Sequence, residues 1–153
     1  MTGVQTCALP IYRIVFEMVG LPENIPQPRI LELSAVLRNH SRAIIARFSP
    51  EHGNFPAYRA AGLHAVGIDV FSMGKTENMM VKDMEKFVKN AKQNELKTYI
   101  HGIRSISLLT AAISIGFDYL DGYALGSVVD QAQDIRGFSM ADAYLEYQKR
   151  QRN

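Results

Sequence analysis

Five polar side chains stand at or just past the ends of apolar, β-rich runs, and their types define the chemistry open to the chain. Glu17 lies inside "RIVFEMV", Arg47 ends "AIIAR", Asp69 follows "AVGI", His101 follows "KTYI" and Asp121 follows "FDYL". Carboxylates and an imidazole suit a divalent cation, so Glu17, His101 and Asp121 on neighbouring strand ends could form a single-metal site. The alternative is polar strand ends satisfied by hydrogen bonds, with no metal. Arg47 offers a planar fork to a phosphate or carboxylate, or could pair with Glu17 or Asp69 as an internal counter-charge. His40, His52 and His64 fall in loops or at strand edges, where a surface role is the default. "GKT" at residues 74–76 lacks the upstream glycine and the strand–loop spacing of a phosphate-binding P-loop.

These residues need a scaffold that brings strand ends together. Candidate buried strands are residues 13–19, 42–48, 64–71, 97–100 and 117–120. Helices are expected between them. In the first, Ile30, Leu33, Val36 and Leu37 recur at helical spacing after Pro26 and Pro28. A short helix should end at Gly62, a residue that tolerates the left-handed position after a helix. A third has an apolar stripe of Met80, Met84, Phe87, Val88 and Ala91 with Thr76 as its N-cap; Met79 is read as core with Met80 and Met84. A fourth, capped by Ser105 and ended by Gly116, is apolar enough to imply burial on more than one side. After the loop of residues 121–137, a last amphipathic helix places Met140, Ala143, Tyr144 and Tyr147 near one face, either closing the barrel bottom or reaching a partner. Five alternations of strand and helix with short connections argue for a parallel α/β architecture. Periodicity alone does not separate an open doubly wound sheet from a (β/α) barrel; a full barrel needs eight units and roughly 250 residues, so a barrel reading makes this chain a part of one.

The 153 residues are 47% hydrophobic and 21% charged, ordinary for a globular domain. A formal net charge of +2 gives no electrostatic case for a nucleic-acid partner. No run approaches the roughly 18 apolar residues of a membrane span. Residues 1–11, "MTGVQTCALPI", resemble the translation of a sequencing-library adapter. The natural chain is then expected to begin near Tyr12 or Arg13, and Cys7 says nothing about redox compartment.

The succession of strand ends resembles the C-terminal part of an EAL domain, the bacterial cyclic-di-GMP phosphodiesterase family. "RIVFEMVG" resembles the strand with Glu-x-x-Glu, "IIARFSPEHGNF" the strand with Asp-Asp-Phe-Gly-Thr-Gly, and "AVGIDVF" the strand with Lys-Ile-Asp. "TYIHGIRS" resembles Ala-Glu-Gly-Val-Glu-Thr, and "GFDYLDGYALG" resembles Gly-x-Asp-x-x-Gln-Gly-Tyr. The resemblance implies a modified TIM barrel, of which this chain holds about five βα units. With the adapter-like tail (1–11) set aside as non-native, the chain divides into a partial EAL-like domain (12–135) and a C-terminal amphipathic helix (136–153).

Position by position, the resemblance implies a site remnant. Glu17 matches a family metal ligand, and Asp69, Gly122 and Tyr123 are kept. Gly20 stands where a loop-bracing glutamate belongs, Ala46 and Arg47 where two metal-binding aspartates belong, and Gly67 where a lysine belongs. His101 and Arg104 replace two glutamates, and Asp121 replaces a glutamine. Two like charges about 4 Å apart interact by roughly 4 kcal/mol at an effective dielectric near 20, so an arginine at a metal carboxylate position opposes a two-metal centre. The expectation is a catalytically inactive EAL-like signalling module in the bacterial cytoplasm, acting through a protein partner or by sensing cyclic-di-GMP, without cofactor. The remnant residues are Glu17, Arg47, Asp69, His101, Asp121, Gly122 and Tyr123. The alternative is an active phosphodiesterase using Mg or Mn.

Overall fold

The computed structural model describes residues 14–22, 25–51, 54–126 and 139–152. Cys7, Tyr12, His52 and most of the loop before the last helix lie outside these residues.

Five strands form one sheet, β1 (Val15–Met18), β2 (Ala43–Arg47), β3 (Ala65–Asp69), β4 (Lys97–His101) and β5 (Tyr119–Leu120), in sequential order and all parallel. A helix follows each of the first four: α1 (Gln27–Arg38), α2 (Phe55–Ala60), α3 (Glu77–Gln93) and α4 (Ile106–Ile115); α5 (Met140–Gln151) ends the described chain. Parallel neighbours need such crossovers, because a tight hairpin can only join antiparallel strands.

Register fixes the faces. Glu17 pairs with Ile45, Arg47 with Gly67, Gly67 with Tyr99 and Asp69 with His101. Paired residues share a face and successive residues alternate, so Glu17, Arg47, Gly67, Asp69, Tyr99 and His101 all lie on one face of the sheet. The other side carries Ile44, Ala46, Val66, Ile68 and Ile100, all buried under the helices. There they meet Ile30 of α1, Phe55 and Tyr58 of α2, Met84, Phe87 and Val88 of α3, and Leu109 of α4 in one core. Phe48 stacks on Tyr58 with centroids 4.3 Å apart, and Phe55 meets Phe87 edge-on at 5.3 Å. Both geometries suit aromatic quadrupoles.

Several local expectations hold and several need correction. Ser105 caps α4, its hydroxyl accepting from the Leu108 amide at 3.1 Å, and Gly116 ends that helix in the left-handed region at φ 87°. Gly62 follows α2 with φ 74°. Thr76 occupies the N-cap of α3, but its side chain makes no capping bond. β1 is an edge rather than a buried strand: Val15 is 50% exposed, because among the described residues β1 has a partner only in β2. Val36 is exposed and Ser34 takes its place, buried and bonded to the carbonyls of Ile30 and Ala61. At 100° per residue Val36 lies about 120° around the helix from Ile30, outside the buried stripe. Met80 packs against the core and Met84 is fully buried, so the α3 stripe begins where expected; only Met79, expected in the core beside them, is exposed. α4 buries one face, Leu108, Leu109 and Ala112, and leaves Ile113 exposed, because α3 and α5 cover only part of its surface.

The last helix does not close the barrel bottom. Ser139 and Asp142 form a reciprocal capping box, Ala143 is buried, and Arg150 donates to the carbonyls of Tyr123 and Ala124 at 2.8 and 3.3 Å. Those carbonyls follow β5, at the carboxyl end of the sheet. Among the described residues no helix is long and apolar enough to cross a membrane.

Candidate functional site

The carboxyl ends of β1, β2 and β3 converge on Arg47. Its Nη1 donates to Asp69 Oδ2 at 3.3 Å, and its Nη2 reaches Glu17 Oε2 at 3.5 Å. Nε lies 3.2 Å from Glu17 Oε1 but is not aligned for a hydrogen bond, so that contact is a charge contact alone. The three side chains are 20–33% exposed. The remaining oxygen of Asp69, Oδ1, accepts the Phe71 amide at 3.0 Å. One guanidinium is thereby clasped by two carboxylates from the strands on either side.

A fourth member was not legible as a site residue. Tyr99 enters from β4 and its hydroxyl donates to Glu17 Oε1 at 2.7 Å. To get there the ring crosses the face of Gly67, where an added Cβ would lie 2.4 Å from three ring atoms. Gly67, the position where the family resemblance calls for a lysine, is thus space given to a tyrosine. A lone glycine inside a β-rich run often marks such a close approach, and it was the one available signal.

Burial, the bond to Glu17 and the Glu17 charge together push the Tyr99 phenol far above its ordinary range, opposed by the Arg47 charge. Burial likewise raises Tyr58 to about 12. A phenol whose folded pKa is raised contributes stability below the unfolded pKa near 10 and loses it as pH rises further, since only the unfolded form ionises there. Stability should therefore fall above about pH 10. Tyr99→Phe should flatten part of that fall in urea titrations at stepped pH. An unchanged alkaline slope would show that Tyr99 is not held neutral.

His101 and Asp121 form a separate unit. His101 Nδ1 pairs with Asp121 Oδ2, and both side chains are about half exposed or more. Arg104 lies over the Phe71 ring, 3.4 Å from its centroid, a favourable cation–π geometry. Together with Tyr123 these residues line a recess of about 350 Å³. Gly122, at φ 150°, has no room for a Cβ: one would lie 2.3 Å from the backbone of Ile103. The Ile103 amide bonds the Asp121 carbonyl, and the Ala124 amide bonds the Ile103 carbonyl. Gly122 thus locks two loops together. Tyr123 is half exposed beneath Arg150.

The three-ligand metal site does not form. Among the described residues no group of three or more His, Cys, Asp or Glu could hold a metal. His101 and Asp121 are engaged with each other, and Glu17 with Arg47 and Tyr99. The pair Ala46–Arg47 does not present two adjacent site positions either. Ala46 points to the opposite face and is fully buried, as alternation along a strand requires. A divalent cation between Glu17 and Asp69 would have to displace the Arg47 guanidinium, so these residues as placed do not fit the family's metal pair.

No family model and no curated protein sequence matches the chain. Solved structures do. The chain aligns over 95% of its length, with a TM-score of 0.67 and 13% identity, to the crystal structure of the Bacillus subtilis YkuI protein, with an EAL domain, in complex with substrate c-di-GMP and calcium. It spans 36% of the length of YkuI. It also aligns with 3-hexulose-6-phosphate synthase over 72% of this chain and 53% of that one, at a TM-score of 0.49 and 12% identity. The fold is EAL-like: about five parallel βα units of an EAL-type modified TIM barrel.

Proposed function

We propose that this chain is a catalytically inactive, degenerate EAL-type module of bacterial cytoplasmic signalling, a piece of a larger barrel. It regulates through a protein partner or by sensing cyclic-di-GMP without hydrolysis. The observation that carries this reading is Arg47 between Glu17 and Asp69. A cation already occupies the space between the two carboxylates best placed to take a metal. Two-metal hydrolysis needs bound cations to activate water and to stabilise the leaving oxygen, and this arrangement offers them no open carboxylate pair. Support for a cyclic-di-GMP connection comes from the EAL-like fold, seen also in YkuI with that nucleotide bound.

Protein interaction is the favoured arm. The positions that the resemblance assigns to metal aspartates and to a lysine hold Ala46, Arg47 and Gly67, and Tyr99 fills the space beside Gly67. Incubation with cyclic-di-GMP and Mg or Mn is expected to give no linear product. Clear turnover that disappears in Glu17→Ala would overturn the reading in favour of a metal-dependent phosphodiesterase. Calorimetry then separates the two regulatory arms. Binding of cyclic-di-GMP that Arg47→Glu abolishes assigns sensing; no heat at high nucleotide concentration assigns protein interaction.

A further inference from the structure

The opposite, amino-terminal end of the sheet holds a second polar recess, of about 450 Å³, lying beneath the starts of β2, β3 and β4. Four cationic side chains line it, Arg38, Arg42, Arg59 and Lys97, against one carboxylate, Glu95. Counting Glu95, and Asp118 that pairs Lys97, against the four cations leaves a local excess of two positive charges, on Arg38 and Arg42.

Each cation is set differently. Arg38 crosses the bare face of Gly62, where a Cβ would lie 2.3 Å from Nη2, and donates to the Ala61 carbonyl at 2.9 Å. That bond orients the guanidinium without neutralising it. Arg42 has no side-chain partner among the described residues. Arg59 pairs with Glu95 at 3.0 Å, but both are more than half exposed, and such pairs contribute little and open readily. Lys97 is tied to Asp118. The floor is apolar, with Ile44 and Leu63 buried.

We propose that this recess is a ligand site for a phosphate-bearing small molecule. Guanidinium forks match phosphate oxygens in pairs, and the volume is that of a small-ligand pocket. An open recess with an apolar floor and guanidinium groups around it suits a compact phosphate polyanion better than the flat acidic face of another protein. In a βα-barrel architecture this end is remote from the strand-carboxyl end where chemistry is done, so occupancy here would regulate rather than react. The inference does not depend on the Arg47 reading.

The probe is inorganic pyrophosphate, titrated into the full chain at low salt by calorimetry, with amide shifts followed by NMR. Binding should shift Gly62 and His64, weaken as salt rises, and fall at least about tenfold, the scale of one lost charged contact, in Arg42→Glu. Arg29→Glu makes the same charge change at the far end of α1 and should bind as wild type. If Arg42→Glu fails to fold, Arg59→Gln and the wild-type amide shifts decide. Equal affinity in the recess variants, shifts centred on Arg47 instead, tighter binding of an oligo-glutamate, or no binding would each overturn the proposal.

Discussion

Arg47→Asp is expected to create a Mn²⁺ site between Glu17 and Asp69. In the wild type the guanidinium satisfies Glu17 and Asp69 at once. Aspartate at this position removes that cation and places a third carboxylate between the two. Without metal, the variant should lose about 2–3 kcal/mol of stability, the cost of stranding half-buried charge discounted for its partial exposure. Saturating Mn²⁺ should restore it, since a ligand at about 100 times its Kd stabilises by roughly 2.7 kcal/mol. Urea unfolding with and without Mn²⁺, alongside the Mn²⁺ electron spin resonance signal, reads both effects. Equal Mn²⁺ binding by wild type and variant would mean that Arg47 does not hold the position against a metal. Arg47→Met serves as the control that removes the cation without adding a ligand: it should lose stability and gain no Mn²⁺ response.

The second large effect is expected at Gly67. An alanine methyl there would sit 2.4 Å from Cε1, Cε2 and Cζ of Tyr99. The strand is paired on both sides, through Arg47 and through Tyr99 itself, so the backbone has little freedom to give way. Overpacking of this kind costs about 1–3 kcal/mol, and the upper part of that range is expected for Gly67→Ala. A double-mutant cycle isolates the cause. In a Tyr99→Phe background, which keeps the ring and loses the bond to Glu17, Gly67→Ala should cost about the same as before. In a Tyr99→Ala background most of the cost should vanish. A penalty that persists there would trace to the strand backbone and not to the ring.

Much of the scaffold was legible because it rests on periodicity and caps. The strands are continuous apolar runs, as parallel strands covered by helices usually are. The α3 stripe from Met80 to Ala91 follows from helical periodicity, and the Ser105 cap from the chemistry of a helix start. What failed was environment. An edge strand such as β1 reads like a central one, because its composition does not reveal whether a second neighbour exists. Ser34 is buried because two backbone carbonyls wait for its hydroxyl, which no apolar pattern can announce.

At the site, sequence gathered Glu17, Arg47 and Asp69 correctly as strand-end residues but treated Ala46 and Arg47 as a pair. Alternation separates them onto opposite faces. Tyr99 carries no such signal in the sequence, because its part depends on a residue in the neighbouring strand, Gly67, thirty-two positions earlier in the chain. Cross-strand relations of this sort become visible only once register is fixed.

The clasp around Arg47 also bears on how the site responds to its ionic surroundings. A carboxylate cluster that depends on divalent cations changes its charge, and with it its shape, as their supply changes. Here the counter-charge is covalently part of the chain. The mouth of the sheet is therefore expected to keep one geometry when magnesium or manganese is added or chelated, which amide NMR spectra with and without a chelator would check. Such constancy suits a fixed landmark for recognition, and it leaves any switching to whatever binds there.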